Sequence, residues 1–179
     1  VMIPQAHPGD EVPAVDLTDQ DGNALNLADL RGSWYAFTFI YTRCPLPDFC
    51  PRMSEQFEAV RRAIEADRDR YGDARLLSVS IDPDYDTPEG LRQYGLRYLS
   101  GVDAPFSRWR FVRPEGEGLG DLASFAGMRY MPEANEVVHN LRTVVVDPDG
   151  RVVEVFVGNS WTPDDLLASL AAATGAAAA

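Results

Sequence analysis

The chain has 179 residues, 45% of them hydrophobic, enough to enclose one core of ordinary domain size. Its formal net charge is −12, from 28 acidic and 16 basic side chains, and every basic one is arginine. That balance argues against nucleic acid or anionic membrane as partner, since both reward basic patches, and no run approaches the roughly 20 apolar residues of a membrane span.

Residues 1–12 carry proline and glycine and read as irregular; the abrupt start at Val1-Met2-Ile3-Pro4 is expected to mark a soluble domain cut from a longer, membrane-anchored precursor. Residues 14–18 and 24–27 flank Asp21-Gly22-Asn23, an Asp-Gly turn signal, and predict an N-terminal β-hairpin. Residues 34–41 are almost continuously apolar and aromatic, the pattern of a central strand covered on both faces. Met53, Phe57, Val60 and Ile64 recur at helical spacing in a run that ends near Tyr71-Gly72, and residues 75–81 follow as a second core strand. Thr87-Pro88-Glu89 supplies an N-cap, a proline at the first helical position and an early acid, so a helix carrying Leu91, Tyr94 and Tyr98 begins there. Residues 109–112 predict a strand, 119–126 a short helix, and 127–138, which have no clean period, a loop. Residues 140–147 and 151–157 form a hairpin about Asp147-Pro148-Asp149-Gly150, and Thr162-Pro163-Asp164-Asp165 caps a last helix whose tail, 175–179, is expected to fray. The order defines an α/β fold, a central mixed β-sheet flanked by helices, in a single domain over 1–179.

The chemistry concentrates in Cys44-Pro45-Leu46-Pro47-Asp48-Phe49-Cys50-Pro51, which holds the only two cysteines. They lie in the turn between a strand and a helix, where a thioredoxin-like fold puts a redox pair and a helix N-terminus lowers a thiol pKa. Close spacing suits an extracytoplasmic disulfide, a redox couple or a metal pair. With His139, read as opening a later strand, two soft thiolates and an imidazole suit copper: Cu(I) favours the sulfurs, and Cu(II) accepts the nitrogen. Met53, Met128 and Met131 read as packing, Asp48 and Asp82 as turn residues, and His7 as solvated, while Arg43 is either a thiolate partner or a surface arginine.

Phe39-Ile40-Tyr41-Thr42-Arg43-Cys44-Pro45 with Cys50-Pro51, then Ser78-Val79-Ser80-Ile81-Asp82-Pro83 with Asp86-Thr87-Pro88, then His139 ahead of Val146-Asp147-Pro148-Asp149-Gly150, together resemble the Sco (SenC) family of thioredoxin-fold copper proteins. The likeness spans roughly residues 12–172. The family separates its cysteines by three residues; here five intervene, two of them proline. The resemblance implies copper, as Cu(I) or Cu(II), held by Cys44, Cys50 and His139. It also implies a periplasmic, extracytoplasmic role in delivering copper to, or keeping reduced the thiols of, the CuA centre of cytochrome c oxidase, whose copper-accepting subunit would be the partner. Two other readings stay open. One is an enzyme, a thiol-disulfide oxidoreductase using Cys44 and Cys50 without metal; the other is an interaction domain with a structural staple. A peroxiredoxin would want threonine where Tyr41 stands.

Overall fold

Strand β3 (Tyr35–Ile40) buries all six of its residues, as an unbroken apolar run demands of a strand with cover on both faces. The computed structural model describes residues 5–133 and 136–178, of which 131–133, 136–139 and 171–178 are described by their backbone alone. β3 pairs in parallel with β4 (Arg75–Ser80) and antiparallel with β8 (Arg142–Val146). Around them lie β1 (Asp16–Asp19), β2 (Ala24–Asn26), β5 (Trp109–Pro114) and β9 (Val152–Val157), in the sheet order β2-β1-β5-β4-β3-β8-β9. The N-terminal hairpin therefore joins the main sheet, through antiparallel pairing of β1 with β5.

Helix α1 (Cys50–Ala66) lays Met53, Phe57, Val60 and Ile64 into the core, all fully buried. The short α2 (Arg68–Tyr71) follows a break at Asp67, whose carboxylate accepts from the Arg70 amide. α3 (Pro88–Leu99) starts as its capping signal requires, with Thr87 Oγ1 accepting from the Gly90 amide at 3.1 Å. α4 (Gly118–Ala126) and α5 (Pro163–Ala178) complete the helices, and α5 packs on α1 and β8. The sequence reading thus holds for the mixed sheet and the flanking helices.

Four details differ. α1 begins at Cys50 rather than near Met53, because a proline in the first turn needs no N–H partner and so starts a helix as readily as it ends a loop. The expected loop 127–138 is instead a two-stranded ribbon, β6 (Tyr130–Glu133) paired with β7 (Glu136–His139). Pro132 lies inside it, tolerated because both strands of a two-stranded sheet are edges. His139 consequently closes β7 rather than opening β8. The alanine-rich tail continues as helix to Ala178 instead of fraying from Gly175, in keeping with alanine's helix propensity.

Candidate metal centre

The chain leaves the sheet after Ile40 and turns at once, the Cys44 amide donating to the Tyr41 carbonyl at 3.2 Å. Pro45 and Pro47 fix φ on either side of Leu46, and the Phe49 amide donates back to the Leu46 carbonyl at 3.1 Å. These bonds fold the five-residue spacer upon itself and bring the two sulfurs together as free thiols, each a hydrogen-bond partner of the other.

Their environments differ sharply. Cys50, the first residue of α1, is fully buried, whereas Cys44 is half-buried. The Cys50 thiol donates to Cys44, the largest of the effects that pull the Cys44 pKa down to about 6 against the opposing cost of burial. Backbone N–H groups of Cys50 and Leu46 and the Tyr41 hydroxyl add to the pull. The Cys50 thiol is pushed up for the complementary reasons: it gives its proton to that bond, it is desolvated, and it faces the Cys44 charge, with Asp86 adding more negative potential. The result is a polarised pair, one accessible sulfur poised as thiolate and one buried sulfur held as thiol.

Two interactions hold the loop against the rest of the molecule. Asp86, 1% exposed, accepts from Ser80 Oγ at 2.6 Å and from Thr42 Oγ1 at 2.5 Å, tying the residue two before Cys44 to the end of β4. Burial raises the Asp86 pKa, opposed by these same hydrogen bonds. Arg43 is engaged elsewhere than with sulfur: its Nε donates to Asp82 at 2.8 Å and its guanidinium lies 4.2 Å over the Tyr85 ring. That settles its role as a clamp on the 82–85 segment. Asp48 is exposed and offers its carbonyl to Asn159 Nδ2 at 2.9 Å. Met53 and Met128 are core residues, and His7 is exposed.

The backbone of His139 lies opposite Tyr130 in the ribbon; its imidazole and the Met131 side chain fall outside the described residues. Asn140 fastens the base of that ribbon, with Oδ1 accepting from the Arg129 amide at 2.7 Å and Nδ2 donating to the Gly127 carbonyl at 3.3 Å. A cleft of about 460 Å³ is lined by residues that include Asp82, the ion-pair partner of Arg43, and Tyr130, the residue opposite His139 in the ribbon. The sequence reading picked out Cys44 and Cys50, which the fold brings together. It gave no role to Tyr41, to the Asp86 tie or to the Asn140 clasp.

A parallel β3–β4–β5 core with a polarised dithiol at a strand–helix turn defines a thioredoxin-like protein, and comparison places it more closely. The SCO1/SenC family model matches residues 4–103, and the chain belongs to that family. It is 28% identical to the SCO1 protein homolog of Bacillus subtilis over 92% of this chain and 83% of that one. It is also 31% identical to a Mycobacterium tuberculosis protein that carries a peroxiredoxin name, over 82% of each chain. Among solved structures, BsSco, a member of the Sco family of cytochrome c oxidase assembly proteins in which a disulfide switch is identified, superposes with a TM-score of 0.76 at 26% identity, covering 95% of this chain and 97% of that one. Copper-bound ScoI of Arabidopsis thaliana has the same fold, with a TM-score of 0.76 at 20% identity over 93% and 99% of the two chains.

Proposed function

We propose that the chain acts as one thioredoxin-like domain, an extracytoplasmic Sco-type metallochaperone anchored through its precursor, whose Cys44, Cys50 and His139 hold one copper ion. Its task is to deliver that ion to, or keep reduced the thiols of, the CuA centre of cytochrome c oxidase. The observation that carries this reading is the polarised thiol pair. Soft thiolates suit Cu(I), and one sulfur is already deprotonated near neutral pH while the other waits behind it. Family membership supports the reading, as do the copper-bound and oxidase-assembly relatives.

The same polarity supports the thiol-maintaining half of that task. The Cys44 thiolate attacks a disulfide sulfur of the partner and releases the other as a thiolate. Cys50, giving up its proton, then attacks Cys44 in the mixed disulfide. The products are a Cys44–Cys50 disulfide and a reduced partner dithiol, two electrons having passed from this chain to its partner.

The test is a copper titration of the fully reduced protein, read through Cu(II)–thiolate charge-transfer absorption. One ion bound per chain, lost in Cys44→Ser and Cys50→Ser and crippled in His139→Ala, is the expected result. Unchanged affinity in either serine variant would remove the two sulfurs from the site.

A further inference from the structure

The main sheet has two edges, β2 and β9, and they are finished differently. β2 is three residues long and runs at once into a capped turn, which leaves little edge to pair with. β9 is Val152-Val153-Glu154-Val155-Phe156-Val157, a strongly β-forming run with one charge. The segment ahead of β1 covers only its start: the Val152 amide donates to the Asp10 carbonyl and the Gly9 amide to the Val152 carbonyl, both at 2.8 Å. Toward the N-terminus that segment turns off at Gly9 (φ 95°), and the Ala6 amide donates to the Phe125 carbonyl of α4 instead.

The register shows which backbone groups this leaves open. The Gly158 amide donates to the Leu141 carbonyl at 3.0 Å, directly across the β8–β9 pair. Alternation in an antiparallel ladder then turns the N–H and C=O of Glu154 and Phe156 toward β8, and those of Val155 and Val157 away from it. Among the described residues, no backbone group bonds Val155 or Val157 on that outer side, and the Val157 side chain is 55% exposed.

We propose that the free half of β9 pairs antiparallel with β9 of a second copy of this chain, joining the two sheets across a two-fold axis at Phe156. The occupant follows from self-complementarity. With Phe156 opposite its counterpart, Val155 of each copy meets Val157 of the other, and the outward groups of those residues make four N–H···O bonds. The two phenylalanines form a close cross-strand aromatic pair, and Glu154 falls opposite Gly158, so no like charges face each other along the strand.

The interface is small, which makes the dimer weak. The net charge of −12 on each chain opposes it at long range, so it strengthens as salt shortens the Debye length from about 30 Å at 0.01 M to about 8 Å at 0.15 M.

The experiment uses the full chain kept reduced, so that no intermolecular disulfide imitates the contact. Sedimentation equilibrium is run at rising protein concentration, up to about 1 mM, with amide hydrogen exchange read residue by residue by NMR. The mass is expected to climb from 19.7 kDa toward twice that value, more readily at the higher salt. The Val155 and Val157 amides should gain protection in step with it, while those of Glu154 and Phe156 are protected throughout. Val155→Pro deletes only an outward N–H, a change edge strands tolerate, and should weaken association about tenfold. Should that variant fail to fold, Val157→Lys decides: it reduces the net repulsion yet sets a charge in the seam, and it should also lose the dimer. A mass that stays at 19.7 kDa would overturn the proposal, as would a dimer that both folded variants retain. Protection of Val155 and Val157 at every dilution would overturn it too, by showing that the chain covers its own edge.

Discussion

Cys50, fully buried at the start of α1, donates its thiol hydrogen bond to the half-buried Cys44. That hydrogen bond sorts two chemically identical side chains into a nucleophile and a reserve. In the reduced, metal-free protein the alkylation rate of Cys44 should rise with pH through a midpoint near 6, far below the roughly 8.5 of a free thiol. Cys50→Ala removes the largest stabilising bond and should move that midpoint upward. A wild-type midpoint in the ordinary thiol range would show that the contact does not form.

Oxidation should close the site to copper, because the ligands must be free thiolates. Protein treated to form the Cys44–Cys50 disulfide is expected to take up no copper at concentrations that saturate the reduced form, and thiol reductant should restore uptake. Equal uptake by both forms would count against paired sulfur ligation.

Asp86→Ala should destabilise the fold, since it leaves the Ser80 and Thr42 hydroxyls without the carboxylate they donate to. Losing buried partners of this kind costs about 1–3 kcal/mol, which in a domain of this size lowers Tm by roughly 2–12 °C. Thermal unfolding of wild type beside Asp86→Ala checks it, and an unchanged Tm would mean the tie contributes nothing.

Gly95→Ala sets helix propensity against packing. Alanine is the better helix former by about 1 kcal/mol, yet a Cβ there would lie 2.8 Å from ring carbons of both Phe106 and Phe111. Both rings are buried, so overpacking at about 1–3 kcal/mol should win. Chemical denaturation should show a lower midpoint with an unchanged slope; a higher midpoint would show that the rings yield.

What the sequence made legible follows from how local each signal is. Strand β3 declares itself because six consecutive buried residues need no partner to be recognised. The Thr87 cap is equally local. The cysteine pair stands out because the chain has no other cysteines and because a strand precedes them. The Asp86 tie is different. Thr42 and Ser80 become neighbours only because β3 and β4 run in parallel with Ile40 opposite Ser80, a register that no stretch of sequence announces. The β6–β7 ribbon was hidden by Pro132, which marks a break in most strands and is harmless in an edge. The Arg43 ambiguity dissolved for a similar reason, since its partner Asp82 lies 39 residues away.

The most direct test of the copper site is X-ray absorption of the reduced protein loaded with one equivalent of Cu(I), wild type beside His139→Ala. The account predicts two sulfur scatterers and one imidazole nitrogen in the wild type, with the nitrogen lost and both sulfurs kept in the variant. A shell with fewer than two sulfurs, or an unaltered nitrogen signal in His139→Ala, would contradict it.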